Sequence, residues 1–136
     1  MPTGEIRDPL LPFARFRVYP DKKRRCYFKV IVFSSKRQMW AFYRQGVRGF
    51  PGNGQLDFYA ITLPYSCIVG SKDSKREIGT ILFHRQQTGT GTVSHEMTHA
   101  AVHYLRLKKA NLNAQKSEEP LAHVVGELTR QFFRRY

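Results

Sequence analysis

The sequence has only two cysteines, and they form no metal-binding or redox motif. Cys26 and Cys67 lie far apart in apolar, strand-like stretches, without a C-x-x-C pair. This argues against a cysteine-rich zinc site and against a disulfide framework. It favours two buried, reduced thiols and a cytoplasmic location.

Long apolar runs are also missing. No run approaches the roughly 20 residues that a membrane-spanning helix needs. Residues 1–9 lack a basic region followed by an apolar one and carry Glu5 and Asp8, which is unlike a signal peptide. We therefore expect a single domain over residues 1–136 and no membrane partner. Residues 1–12, which hold three prolines, should form an irregular arm.

Acidic residues are scarce. The chain of 136 residues has 23 Lys and Arg against 10 Asp and Glu, a net charge of +13, and the excess is greatest in residues 1–56. A field of this sign attracts nucleic acid, acidic proteins or anionic membranes. The densest cluster, from Lys22 to Arg25, is either a solvated hairpin tip or a phosphate contact. The basic N-terminal half makes nucleic acid a candidate partner.

Hydrophobic periodicity predicts an α+β domain with a small, mostly antiparallel sheet. The first two strands should form a hairpin with the basic cluster at its tip, and Ser35 should cap the first helix. The second helix should bury a stripe at helical spacing, formed by Val93, Met97, Ala100 and Tyr104. In chain order the predicted strands are 13–19, 26–33, 57–63, 65–69 and 76–84, and the predicted helices are 36–45, 92–109 and 118–134.

The second helix contains the pattern H-E-x-x-H, formed by His95, Glu96 and His99. Residues four apart share one helix face, so both imidazoles can point at one zinc ion. Glu96 is turned away from the metal but can reach a water bound to it. Zinc lowers the pKa of such a water toward about 7, and a neighbouring carboxylate can act as the general base. The pattern therefore predicts a zinc-dependent peptidase.

A third ligand must complete such a site. His103 lies two turns from His95, about 12 Å along the helix axis, so it cannot bind the same ion as the other two histidines. We interpret His103 as a surface or supporting residue. Glu119, near the start of the last helix, is the preferred ligand, and Glu118 and His123 are the alternatives.

One face of the last helix carries Glu119, Ala122, His123 and Gly126. The two small residues should let this face approach the H-E-x-x-H helix closely and bring Glu119 to the metal. His123 could then orient a ligand or stabilise the oxyanion. Tyr104 and His84 are weaker candidates for the oxyanion role. His84 ends the strand before the motif, and an extended substrate could pair with the edge of that strand.

Residues 76–136 resemble a minimal zincin metallopeptidase. The H-E-x-x-H helix and the later E-x-x-A segment that begins at Glu119 are similar to those of gluzincins and of IrrE/ImmA-type peptidases. The resemblance implies a zincin fold, a cytoplasmic zinc enzyme and a protein substrate, with His95, His99 and Glu119 as ligands and Glu96 as base. Compact proteins of this kind also occur among phage products. The chain departs from the gluzincin pattern at His123, where gluzincins have aspartate.

The same helix is also similar to that of SprT-like proteases, which act on proteins crosslinked to DNA. Their third ligand is a histidine in a His-Gly pair, and no such pair follows His99, so this resemblance ranks second. A different interpretation is a zincin scaffold that only binds nucleic acid or a host protein. A Glu96→Gln variant distinguishes the two, because a peptidase would keep its zinc and lose activity, whereas a binding protein would be unaffected.

Overall fold

The computed structural model describes residues 13–46, 60–64, 76–109, 112 and 118–136. Within these ranges the chain forms a small mixed sheet of four strands and three helices, which confirms the α+β class. The elements are β1 (Ala14–Val18), β2 (Tyr27–Phe33), α1 (Lys36–Gly46), β3 (Ala60–Pro64), β4 (Glu77–His84), α2 (Thr90–Leu107) and α3 (Glu118–Arg135). The predicted arm 1–12, the predicted strand 65–69 and Cys67 lie outside the described residues.

The sheet has the strand order β1-β2-β4-β3. The predicted hairpin is confirmed, since β1 pairs antiparallel with β2 and Phe16 lies opposite Val30. The pairing of β3 with β4 is also antiparallel, whereas the central pairing of β2 with β4 is parallel. A parallel pair needs a long crossover, and the chain between β2 and β4 includes α1 and β3.

The strand that ends at His84 was predicted to pair with a substrate through a free edge. That prediction was wrong, because this strand is not an edge strand. β4 has β2 on one side and β3 on the other. All residues of β4 from Ile78 to His84 are buried, a pattern typical of a central strand covered on both faces. Among the described residues, β3 is the edge strand on this side of the sheet.

Helices cover both faces of the sheet. The buried Met39 of α1 packs against Ile31 and Leu82 on one face. The side chain of Ser35 caps α1 as predicted, because its Oγ accepts a hydrogen bond from the backbone N–H of Gln38 at 3.2 Å. The other face packs against α2 and α3 and forms the larger core, which includes Phe28, Ile81, Phe83, Met97, Leu128 and Phe132.

The long helix begins at Thr90, two residues before its predicted start, and its predicted buried stripe is confirmed. Val93, Met97 and Ala100 are fully buried and Tyr104 is nearly so. This packing fixes the rotation of α2 about its axis and turns the H-E-x-x-H face toward β3. Within the described ranges, no helix combines the length and the apolar character needed to cross a bilayer.

Candidate metal centre

A groove of about 510 Å³ lies between the edge strand β3 and one face of α2. The helical lining positions are 95 and 96, then 99, then 102 and 103, then 106, and because they recur every three or four residues they share one face of α2. Strand β3 forms the opposite wall. The lining residues are Ala60, Ile61, Thr62, His95, Glu96, His99, Val102, His103 and Arg106.

The two histidines of the H-E-x-x-H pattern converge in this groove. Their Nε2 atoms are 3.3 Å apart, and both side chains are exposed. Two nitrogens bound to one tetrahedral zinc ion at about 2.0–2.1 Å would be separated by roughly 3.3 Å. The spacing of His95 and His99 therefore fits two ligands of a single zinc ion.

Glu96 lies beside this pair but is held differently. It is buried, with 6% of its surface exposed, although it carries a carboxylate. Its Oε1 lies 2.8 Å from the hydroxyl of Thr62, and its Oε2 lies 3.9 Å from Nε2 of His95. One carboxylate oxygen is thus fixed by the strand, and the other is near the histidine pair without hydrogen bonding to it.

Thr62 is a site residue that sequence reasoning missed. Its hydroxyl lies 2.8 Å from Oε1 and 3.0 Å from the backbone oxygen of Glu96, and its single proton can be donated to one of them at a time. Both contacts join β3 to α2 across 34 positions of sequence. The only sequence signal was a hydroxyl residue in an apolar strand, which does not identify its partner.

The structure does not bring Glu119 or His123 into the groove. Both are exposed near the start of α3, and neither is a lining residue. Among the described residues, no group of three or more His, Cys, Asp or Glu side chains is positioned to hold a metal ion. His95 and His99 are the two converging ligands, and the assignment of Glu119 as the third stays a prediction.

The predicted close approach of α3 through its small residues was wrong. Ala122 and Gly126 are exposed, and a Cβ added to Gly126 would meet no atom within 4 Å. Helix α3 instead packs against the core through Val124, Leu128 and Phe132. Burial of these larger side chains sets the rotation of α3, because they remove more apolar surface from water than a small-residue face can.

His103 and Arg106 occupy the part of the groove that is more distant from His95 along α2. His103 is half-buried, and its Nε2 lies 3.1 Å from the backbone oxygen of Ile78. Since a carbonyl oxygen only accepts, that nitrogen must carry the proton and donate it. This contact agrees with the expectation that His103 is a supporting residue, and the exposed Arg106 adds a positive charge to the groove.

Neither Tyr104 nor His84 lines the groove. Tyr104 faces a second cavity of about 250 Å³, shared with Cys26 and Ile78, and burial raises the pKa of its phenol. His84 is 3% exposed, and neither ring nitrogen has a hydrogen-bond partner among the described residues. Burial, and secondly the charge of Lys36, lowers the pKa of His84. These positions give no support to an oxyanion role for either residue.

Comparison of the chain with protein-family models, with curated proteins and with solved structures finds no match.

Proposed function

We propose that the protein is a zinc-dependent peptidase whose active site is the groove between β3 and α2. The observation that carries this proposal is the 3.3 Å separation of the His95 and His99 Nε2 atoms, with the buried carboxylate of Glu96 beside them. Two imidazoles at zinc-ligand spacing next to a fixed carboxylate supply two metal ligands and a general base for metal-assisted hydrolysis of an amide.

His95 and His99 would hold the metal through Nε2. A bound zinc ion would polarise the substrate carbonyl and lower the pKa of a water molecule. Glu96 would take a proton through Oε2 from the water that attacks the carbonyl carbon, and would pass it to the leaving amine as the C–N bond breaks. Thr62 would keep Oε1 in place during both transfers. Burial of Glu96 between the strand and the helix limits the number of orientations that its carboxylate can adopt.

Glu119 remains the proposed third ligand, and Glu118 and His123 are the alternatives. All three lie in the first two turns of α3. The backbone N–H groups of the first turn favour the negative charges of Glu118 and Glu119. Three protein ligands would leave the fourth position open for water and substrate, as in catalytic rather than structural zinc sites.

The groove suits an extended peptide. Strand β3 is an edge strand among the described residues, and a peptide could hydrogen bond to it as an additional strand, which is a common mode of peptide recognition. Its side chains would then alternate between the groove and solvent. Arg106 would favour an acidic substrate side chain at the distal end of the groove.

The first test is the zinc content of the purified protein, measured by mass spectrometry in wild type and in alanine variants of three residues. We expect one zinc per chain in wild type and its loss in His99→Ala and Glu119→Ala. His103→Ala is the matched control, because it removes a histidine from the same helix face and should keep the metal. Absence of zinc from wild type after zinc is supplied would overturn the proposal, as would equal loss in His103→Ala.

The second test separates a peptidase from a protein that only binds zinc. Glu96→Gln preserves the shape of the side chain but removes the base, so it should keep the zinc and lose at least about 100-fold in turnover. A mixture of fluorescence-quenched peptides serves as the substrate probe. Cleavage by Glu96→Gln at the wild-type rate would exclude the proposed mechanism.

A further inference from the structure

We infer that the tip of the β1–β2 hairpin is a docking surface for the phosphate backbone of duplex DNA. We call this surface the basic hairpin. It is separate from the groove, and the inference does not depend on the proposed peptidase activity. Its cations are Arg17, Lys22, Lys23, Arg24 and Arg25.

The basic hairpin carries a concentrated and accessible positive charge. All five of its cations are exposed. Asp21 is the only acid in residues 13–26, and its carboxylate is occupied by Arg25, whose Nε lies 3.2 Å from Oδ2. Most of the charge is therefore left to attract an anion, as required of a protein that displaces counterions from nucleic acid.

The backbone of the tip holds an arginine where the geometry favours glycine. Arg24 has a φ of 54°, in the left-handed region that disfavours residues with a Cβ atom. The turn is closed by a hydrogen bond of 3.2 Å from the Arg24 N–H to the backbone oxygen of Asp21. A glycine would adopt this conformation at a lower cost, so the turn keeps the charged side chain of Arg24 at some expense of stability.

Two arginines of the basic hairpin are held on tyrosine rings. The guanidinium of Arg24 lies 4.9 Å from the centre of the Tyr19 ring, and that of Arg17 lies 4.2 Å from the centre of the Tyr27 ring. Stacking orients a guanidinium and leaves its N–H groups free at the edge. These N–H groups match the geometry of a phosphate, which a guanidinium binds through two parallel hydrogen bonds.

The base of the tip is fixed to α3. The side-chain amide of Gln131 accepts a hydrogen bond from the Tyr19 N–H and donates one to the Tyr19 backbone oxygen, both at 2.8 Å. This pair ties the hairpin to the helical layer. A fixed surface loses little conformational entropy on binding, which strengthens association.

The shape and chemistry of the tip favour duplex DNA over an acidic protein or RNA. Protein interfaces have an apolar centre, whereas the turn between β1 and β2 consists mainly of charged residues. A two-stranded ribbon fits the major groove of B-DNA, which is about 12 Å wide. The major groove of A-form RNA is too narrow for it.

The test measures binding of a fluorescein-labelled DNA duplex of about 24 base pairs by fluorescence anisotropy at several salt concentrations. The variant Lys22→Ala/Lys23→Ala removes two cations from the turn. Each lost phosphate contact should lower the affinity roughly 8-fold at about 0.1 M salt and reduce the slope of log K against log salt by about 0.9. Arg24→Gly should weaken binding of the duplex, although it removes the strain of the left-handed backbone conformation at this position.

The matched control is Arg37→Ala/Arg85→Ala, which removes the same charge. These two exposed arginines follow the carboxyl ends of β2 and β4, at the opposite end of the sheet from the tip. A much smaller effect in the control supports the inference. Equal effects in both variants would overturn it, because they would show that only net charge matters. Tighter binding of an RNA duplex, or stronger competition by poly-glutamate than by unlabelled DNA, would also overturn it.

Discussion

The hydroxyl of Thr62 on β3 lies 2.8 Å from Oε1 of Glu96 on α2. The same hydroxyl is 3.0 Å from the backbone oxygen of Glu96. One side chain of β3 thus contacts both the carboxylate and the main chain of the proposed base. The strand that would receive the substrate is therefore also the strand that positions the base.

Thr62→Val should slow peptide hydrolysis without loss of zinc. Valine keeps the branched shape and removes the hydroxyl, so Glu96 loses the partner that fixes Oε1. We expect a fall in kcat of about 10-fold, smaller than the effect of removing the base itself. The measurement is steady-state cleavage of a quenched peptide together with zinc content.

Thr62→Ser provides the control for that experiment. Serine retains a hydroxyl at the same position and should restore most of the rate. If valine and serine variants had the same activity, Thr62 would have no positioning role, whatever its contribution to stability.

Much of the framework that carries the groove was predictable from local patterns. Alternation of apolar and basic residues identified the β1–β2 hairpin, and the spacing of Val93, Met97 and Ala100 identified the buried side of α2. Once the buried side of α2 is known, His95 and His99, which are four residues apart, must lie together on a different face of the helix. These features depend only on the spacing of apolar residues along the chain, which can be read directly from the sequence.

The remaining features depended on how elements pair over long distances. The continuous burial of β4 distinguishes a central strand from an edge strand, but an apolar run does not reveal which neighbours it has. The contact of Thr62 with Glu96 required that β3 lie beside β4 and next to α2. The rotation of α3 depends on the burial of Val124, Leu128 and Phe132 against the core, which a pattern of small residues does not report.

Two glycines should respond oppositely to the same substitution. A Cβ at Gly79 would lie 2.8 Å from the backbone oxygen of Leu63 and 2.9 Å from the Phe28 ring, so Gly79→Ala should force β3 and β4 apart. We expect a loss of about 1–3 kcal/mol in the free energy of unfolding. Because β3 carries Thr62, activity should fall as well.

Gly126→Ala is the matched control. A Cβ at Gly126 meets nothing within 4 Å, and alanine is the better helix former, so this variant should gain roughly 0.5–1 kcal/mol. Chemical denaturation followed by circular dichroism measures both changes. A destabilised Gly126→Ala would mean that this face of α3 is covered by other parts of the protein.

A Leu→Ala substitution should lower the free energy of unfolding much more in the core than on the surface. Leu128 on α3 is fully buried, whereas Leu107 at the end of α2 is 54% exposed. Leu128→Ala should cost about 2–5 kcal/mol through lost burial and a cavity. Leu107→Ala should change the free energy of unfolding by no more than about 0.5 kcal/mol. Similar costs, measured by urea denaturation, would contradict the packing of α3 described above.

His84 should make the fold less stable in mild acid. Its pKa is lowered in the folded protein by burial and by Lys36, whereas in the unfolded chain it is near 6.5. Below about pH 6.5 the unfolded chain therefore binds more protons, and the free energy of unfolding falls as the pH decreases toward the folded pKa. At about pH 5.5 the loss from this one group can reach at most about 1.4 kcal/mol.

His84→Phe keeps a ring at this buried position but cannot titrate, so its stability should fall less between about pH 7.5 and about pH 5.5. The measurement is urea denaturation with a chelator present, which keeps metal binding to His95 and His99 out of the comparison. An identical loss in wild type and His84→Phe would show that His84 is not the group whose protonation weakens the fold.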